Sequence, residues 1–420
     1  MHIVYIHQHF CTNEGFAGTR SYDVSRHLAG MGHKVTMICG VGDFSGLPRA
    51  PWYKLFRKLP MAGFDVIICN VFYSNKMGFL RRLISFVKFA ILASIVALFV
   101  RDVDLVFATH TPLTVSVPGY IASRLKRAPF VFEVRDLWPE SDIISGNLRK
   151  DAPVTRMISA LEVWSYAKAD KIMLVSPGFE KRLLERGYPR RKLRTVLLGA
   201  DGDVFRELRP DPEFRRRHNL EGKTLAVYTG VHGRANGLDY VVDAAGLLKD
   251  RTDIGIVLVG DGMEKPRLKR RVEEMGLKNV TFVGYVPKTV LPGILAACDI
   301  GLMILANVGE RPVTPNKIFD YMFAGLPSIV NFEGPTVEMV RADGTGVFAD
   351  PKKPAELAER ITYWADHSED AKEIGARARR TAYEKYDRRR IAEQLAEVFQ
   401  EVLDGRYARR KLLAAKETHG

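Results

Sequence analysis

Short, unbroken runs of aliphatic and β-branched residues recur along this 420-residue chain, each followed by a longer stretch of helical character. The first half carries them at 3–6, 35–39, 66–69, 105–108, 130–133 and 172–175, the second at 225–228, 255–259, 280–283, 300–304 and 328–330. Most lack apolar–polar alternation, as strands of a parallel sheet covered on both faces require. Strand–helix alternation of this kind builds a sheet wrapped by helices. Its occurrence in both halves predicts an α/β chain of two doubly wound, Rossmann-like domains, in keeping with a length beyond one ordinary core. The pattern resets around 196–207, with Gly199 and Gly202 inside it and Pro210 just beyond. The spacing thus predicts a first domain over 1–195 and a second over 200–385. A helix over 388–404, with Ile391, Leu395, Val398, Phe399 and Val402 on one stripe, is expected to pack back on the first domain. Residues 405–420, with Arg409-Arg410-Lys411, read as a basic flexible tail.

Composition narrows the functional classes. Apolar content of 46% with 27% charged excludes a disordered chain. The formal charge of +14 favours anionic partners without choosing among them. There is no interleaved aromatic and basic stripe, which argues against nucleic acid. Cys11, Cys39, Cys69 and Cys298 form no CxxC pair and read as buried thiols in a reducing, cytoplasmic compartment. Met1-His2 runs directly into an apolar strand, without the pattern of a secretory leader. Residues 89–100 are apolar apart from Ser94 but shorter than the roughly 20 residues of a membrane span. They read as a buried or partly buried helix of the first domain. The alternative is an interfacial segment, with Arg81, Arg82, Lys88 and Arg101 facing acidic headgroups. The triplets Asp102-Val103-Asp104 and Asp201-Gly202-Asp203 read as solvated loop acids, and no metal is expected.

Ligands of doubly wound sheets bind at the carboxyl ends of the strands, so three loops matter. The first holds His7-Gln8-His9 and Gly15-Phe16-Ala17-Gly18-Thr19-Arg20 before a helix from about Ser21. Gly15 and Gly18 would let the backbone approach a phosphate. The loop is not GxGxxG, which weakens a nicotinamide reading. The second, Val134-Arg135-Asp136-Leu137-Trp138-Pro139-Glu140, gathers acids, an arginine and a tryptophan at a strand end. Arg135, Trp138 and Glu140 are candidates for the acceptor side, though Arg135 and Asp136 could equally be paired with neighbours. The third runs from Thr314-Pro315-Asn316-Lys317 through Asp320 to Gly325-Leu326-Pro327. Thr314 suits a helix cap, Pro315 the first helical position, and Gly325 with Pro327 the stop. Asn316 and Asp320 then share a face, with Asp320 expected to take a ribose hydroxyl or to orient Lys317. A lysine in the first turn opposes the helix macrodipole, so Lys317 points to a bound anion.

Several ordered motifs carry a resemblance. Tyr228-Thr229-Gly230-Val231-His232-Gly233-Arg234-Ala235-Asn236-Gly237-Leu238, Val259-Gly260-Asp261-Gly262, Phe282-Val283-Gly284-Tyr285-Val286-Pro287, Ala297-Cys298-Asp299-Ile300 and the helix after Pro315 resemble the donor domain of family 4 glycosyltransferases. The stretch from Phe132 to Glu140 is similar to a subgroup that builds bacterial surface polysaccharides. The resemblance implies a GT-B fold with two domains facing across a cleft, a retaining mechanism, and no metal or other cofactor. It places Gly15, Gly18, Gly230, Gly260 and Gly262 along the donor, Tyr285 and Val286 at the base, and Asn316 and Asp320 at the donor helix. Asp136 falls near the family's catalytic His or Asp, and Lys317 and Arg234 are the cations for the departing diphosphate. There are departures. The first acid of the family's glutamate pair falls on Pro312, with Glu310 two residues off, and its usual Arg and Lys fall on Val231 and Asn236. The implied reaction moves a sugar from a nucleotide donor, UDP-linked by family, to a glycan or polyprenyl-diphosphate-linked acceptor at the cytoplasmic membrane face. A nucleotide-sugar epimerase and a non-catalytic nucleotide-sugar binder are the other readings.

Overall fold

The computed structural model describes residues 1–417 apart from 16, 49, 50, 52, 75, 76, 145–147, 307 and 308; of 409–417 it describes the backbone alone. The chain divides into two units, Met1–Leu197 with the helix Arg388–Glu417, and Leu198–Asp387. Phe16 of the first glycine loop, and the side chains of Arg409, Arg410 and Lys411, lie outside the described residues.

The first unit is built on an eight-stranded sheet. Its strands are β1 (His2–His7), β2 (Lys34–Gly42), β3 (Phe56–Met61), β4 (Phe64–Tyr73), β5 (Leu105–Thr109), β6 (Phe130–Val134), β7 (Lys171–Leu174) and β8 (Leu193–Thr195). They lie in the order β3-β4-β2-β1-β5-β6-β7-β8, parallel except for β3, which runs antiparallel to β4. Sequence reasoning misses β3 and β8. β3 is an exposed edge strand, Phe-Arg-Lys-Leu-Pro-Met, with no apolar run to mark it, and Pro60 is tolerated there because one edge needs no ladder. Ile391, Leu395, Val398 and Phe399 of the last helix are buried with Ile3, Tyr5, Val24 and Phe107, and the Phe399 and Phe107 rings lie 5.0 Å apart. Arg388, fully buried at that helix's start, is held by Asp23 and by Thr19 Oγ1 at 2.8 Å. The helix runs on to Glu417, over most of the stretch expected as a basic flexible tail. Beyond Gly405 the sequence is rich in Ala, Leu, Lys and Arg, all good helix formers, with no proline to end it.

The partly buried helix expected over 89–100 is present, but its expected length is corrected. These residues are the end of a 21-residue helix, Phe79–Phe99, long and apolar enough by length and composition to cross a bilayer. Arg81, Arg82 and Lys88 interrupt the apolar run in sequence, which hid the helix's true length. Only one face is buried, through Ser85, Phe89, Ala93, Val96 and Ala97.

The second unit holds a six-stranded, wholly parallel sheet of β9 (Thr224–Thr229), β10 (Ile254–Val259), β11 (Val280–Val283), β12 (Ile300–Met303), β13 (Ser328–Val330) and β14 (Gly346–Phe348). The order is β11-β10-β9-β12-β13-β14. β14, Gly-Val-Phe and only partly buried, has no apolar run to mark it in the sequence. Asp201 caps the turn Gly202–Phe205 and Asp203 pairs with Arg206 at 2.7 Å, while Asp104 accepts the His2 N–H at 2.7 Å. All four cysteines are free and buried.

Candidate active site

In the second unit, the loops after β9, β10 and β11 converge at the carboxyl edge. Gly230 and Gly260 both adopt φ +134°, a conformation closed to side chains without strain. The Gly230 N–H donates to Val259 O at 2.9 Å, and the His232 N–H to Asp261 O at 2.8 Å. A Cβ on Gly260 would lie 2.0 Å from Gly230 O, and one on Gly262 would lie 2.4 Å from His232 O. These glycines therefore let two loops close on each other backbone to backbone. Lys265 fastens the arrangement, donating to Gly260 O at 3.0 Å and Val283 O at 3.2 Å. His232 is buried within it, and neither ring nitrogen has a hydrogen-bond partner among the described residues. Burial, and then the nearby Lys265 charge, hold its pKa down at about 4, so the ring is neutral.

Lys317 reaches this spot from the next loop. Its ammonium lies 3.9 Å from the centre of the Tyr228 ring and 3.2 Å from where a Cβ on Gly230 would sit. It has no carboxylate partner among the described residues. Burial alone brings its pKa down to about 7. A lysine that burial partly discharges, with no carboxylate beside it among the described residues, is suited to meet an anion. Tyr228 is itself fixed, its hydroxyl donating to Val231 O at 3.0 Å. Tyr321, on the Lys317 helix, accepts the Thr229 N–H at 2.9 Å and donates to Leu302 O at 3.2 Å, tying that helix to the strand ends.

Three expectations change here. The helix is Lys317–Phe323, not one begun by a Thr314 cap and Pro315. The Ile318 and Phe319 N–H groups bond three residues back, to Pro315 and Asn316, so a tight turn precedes the helix and Asn316 holds the cap position. Gly325, at φ +74°, ends it as read. Second, Asp320 does not orient Lys317: its carboxylate is bound by Lys288 at 2.5 Å, both nearly buried. Third, Arg234 does not join Lys317. Its exposed side chain pairs with Glu264 at 3.5 Å, in a pocket of about 370 Å³ also lined by Gly233, Asp239 and Arg267. Tyr285, half exposed, and Val286 follow β11.

In the first unit, a buried network underlies the carboxyl edge. Glu133, at the end of β6, accepts from Arg20 at 2.8 Å, from Arg135 at 2.8 Å and from Thr109. Burial would raise its pKa, but the Arg20 and Arg135 charges prevail and hold it at about 2. Arg135 also donates to Ser21 Oγ at 2.8 Å, and Ser21 bonds His7 Nδ1 at 2.9 Å. Arg135 is thus committed to the scaffold, the bland alternative for it. Glu140 is likewise bound by Arg186 and lies 3.9 Å from Arg182. Asp136 and Trp138 are half-buried in the loop after β6. Gly15 packs against Phe44 O and Cys11 Sγ, where a Cβ would lie 2.2 and 2.4 Å away; Gly18 has open space.

Sequence reasoning missed His110, the residue after β5. It is fully buried, its ring 6.1 Å from that of Trp138, and neither nitrogen has a hydrogen-bond partner among the described residues. Burial, then Arg135, brings its pKa to about 3. A buried imidazole at a strand's carboxyl end with neither nitrogen bonded to a described residue is unusual, since buried polar groups are nearly always paired. Its position after a strand was the one available signal.

Comparison with known proteins bears on these edges. A family model described as glycosyl transferases group 1 matches residues 210–381, and one described as a glycosyl transferase 4-like domain matches 17–199. The chain is 26% identical over 235 residues to the probable glycosyltransferase WbjE of Pseudomonas aeruginosa, covering 55% of this chain and 58% of that protein. It is 22% identical over 320 residues to the glycosyl transferase WcaI of Escherichia coli (strain K12), provisionally assigned to colanic acid biosynthesis, covering 74% and 78%. The match thus takes in little more than half of WbjE's length. Among solved structures, sucrose-phosphate synthase from Thermosynechococcus elongatus superposes with a TM-score of 0.75 at 17% identity, over 96% of this chain and 99% of that one. Anabaena Alr3699/HepE, solved with UDP and glucose, gives 0.69 at 18% identity, over 96% and 100%. At such identities the likeness establishes the fold, the GT-B arrangement of two Rossmann-like domains.

Proposed function

Because the chain belongs to the family 4 glycosyltransferases, we propose that it moves a sugar, with retention of configuration, from a nucleotide donor to a glycan or polyprenyl-diphosphate-linked acceptor. The observation that carries this reading is the Lys317 ammonium, seated on the Tyr228 ring beside Gly230 with no carboxylate among the described residues to neutralise it. UDP is the nucleotide favoured by the HepE complexes. The base lies against Tyr285 and Val286, and the diphosphate meets Lys317. As the bond to the sugar lengthens, charge grows on the diphosphate, and a fixed cation there stabilises the transition state more than the ground state. We assign Arg234, apart from Lys317 and paired with Glu264, to a second part of the donor, and Asn316 to a polar contact at the helix start. On the first domain, His110 and Asp136 act toward the sugar and acceptor. His110, kept neutral, has a nitrogen free to accept from or donate to a hydroxyl. No metal enters this scheme, since the cationic role falls to lysine. The product belongs to surface-polysaccharide synthesis, made in the cytoplasm at the inner membrane face.

The test is a thermal-shift screen of nucleotide sugars, because a ligand that binds only the folded protein raises its Tm. A matching donor is then incubated with and without acceptor. Isomerised donor without acceptor would replace transfer with epimerisation, and a donor that binds but never turns over would leave only a binder.

A further inference from the structure

The outer face of helix Phe79–Phe99 has no partner within the described chain. Leu80, Ile84, Val87, Ile91, Ile95 and Leu98 are each more than 40% exposed and recur at intervals of three and four. Such spacing aligns them in one stripe, about 27 Å long at 1.5 Å per residue. The opposite face is anchored: Phe89, Ala93, Val96 and Ala97 are buried, and the helix packs against β4 and the helix Ser116–Lys126. That anchoring distinguishes it from a membrane span, which would have to leave the domain. A contiguous apolar stripe of this size on a charged protein marks an interaction surface.

The charges around it select the partner. No Asp or Glu occurs between Asp65 and Asp102, or between Asp104 and Glu133. Arg81 and Lys88, seven residues apart and both exposed, run along one flank of the stripe. Arg101 follows the helix, and Arg124 and Arg127 are exposed at the end of the neighbouring helix. A second copy of this chain, docked helix to helix, would bring cations together with no carboxylate on the helix to meet them. An anionic lipid surface satisfies both the apolar stripe and its basic margin. A groove of about 720 Å³, lined by Phe72, Ser74, Met77, Phe79, Leu80 and Arg81, opens at the helix's first turn. It adjoins the carboxyl end of β4, so the helix starts at the ligand edge of its own sheet.

We propose that helix Phe79–Phe99 lies in the surface of an anionic bilayer, its outward stripe among the acyl chains and Arg81 and Lys88 at the headgroups. This identifies the contact behind the membrane-side reading above, and rests on that reading for its purpose. The contact itself needs neither donor nor acceptor.

The experiment is co-sedimentation of the full chain, without substrate, with phosphatidylcholine vesicles that contain or lack phosphatidylglycerol. Binding is expected to the anionic vesicles at low salt, weakened at high salt as exposed charges are screened. The double variant Ile84→Glu/Ile91→Glu removes two acyl contacts and should weaken binding by roughly tenfold or more. Both positions are exposed, so its Tm and its transfer to a soluble acceptor should be unchanged. Failure to bind anionic vesicles at low salt overturns the proposal. So does undiminished binding by the double variant, or a wild-type dimer that the double variant converts to monomer. Transfer to the soluble acceptor is read separately, so loss of the glycosyltransferase reading would show there and leave the vesicle result standing.

Discussion

The ammonium of Lys317 lies 3.9 Å above the centre of the Tyr228 ring, so the tyrosine seats a charge that no carboxylate among the described residues balances. A ring face attracts a cation without neutralising it, and is worth about 1–2 kcal/mol when desolvated. The ammonium is therefore positioned and still available. Lys317→Ala should lower turnover by a factor on the order of 100 or more. Tyr228→Leu, which keeps the lysine but removes its seat, should cost roughly tenfold in kcat/KM. Tyr228→Phe, which keeps the ring, should cost less. Steady-state kinetics with a fixed acceptor decide this, and near-normal turnover by Lys317→Ala would remove the residue from the mechanism.

The same lysine predicts a pH dependence. Burial lowers its pKa to about 7 in the empty protein. A diphosphate favours the ammonium, so the bound pKa is higher and binding takes up a proton above pH 7. Affinity for UDP should then be fully present below about pH 7 and fall by up to about tenfold per pH unit above it, until the bound lysine also titrates. For stability the sign is opposite. Between about 7 and the unfolded value of 10.5 the unfolded chain binds more protons, so the empty protein gains stability as pH rises. Calorimetric titration of UDP across this range checks the first, and Lys317→Arg, always charged, should flatten it.

Much of this was legible in the sequence. Unbroken apolar runs gave most of the parallel strands of both units because a strand buried on both faces must be apolar throughout. Elements that are not buried were harder. β3 is an exposed edge, and helix Phe79–Phe99 carries charges on one flank that break its run. At the site, Lys317 stood out because a first-turn lysine opposes the macrodipole. The partners of Asp320, Arg135 and Glu140 did not, since Lys288, Glu133 with Ser21, and Arg186 come from other segments. His110 was invisible for a related reason: its interest lies in having no partner, which only packing reveals.

Lys288 and Asp320 form a nearly buried pair at 2.5 Å. Removing one member leaves a buried charge uncompensated, typically at a cost of about 3–5 kcal/mol. Lys288→Met should therefore destabilise the second unit by about 3 kcal/mol, and Lys288→Met/Asp320→Leu should recover much of the loss. Denaturant unfolding of the three proteins measures the coupling. Additive losses would show that the two side chains act independently.

Glu133 gives an acid-range prediction. Its folded pKa is about 2 against an ordinary 4.5, because the Arg20 and Arg135 charges outweigh burial. Its contribution is fully present above 4.5 and is lost as pH falls from 4.5 toward 2. The shift corresponds to about 3 kcal/mol. Glu133→Gln should be less stable than wild type at neutral pH, with the gap narrowing through this window. A gap independent of pH would mean that the glutamate acts through shape and hydrogen bonding alone.

His110 allows the structural and functional roles of a buried group to be separated. Burial, then Arg135, keeps it neutral down to about pH 3, whereas an unfolded histidine titrates near 6.5. Between these values the unfolded chain binds the extra proton, so His110 makes stability fall as pH drops below 6.5. His110→Phe removes both that term and two unsatisfied buried nitrogens. It should leave the protein at least as stable, with a shallower acid slope. If the imidazole only filled space, turnover would survive this change. If its nitrogen meets a substrate hydroxyl, kcat should fall by about 10²-fold while UDP binding, which lies with Lys317, stays intact. The acid limb of kcat in wild type should also show no inflection near 6.5 from this residue. Urea unfolding against pH, UDP titration and kcat on the same variant test the three consequences separately. A stable variant with normal kcat would return His110 to the core.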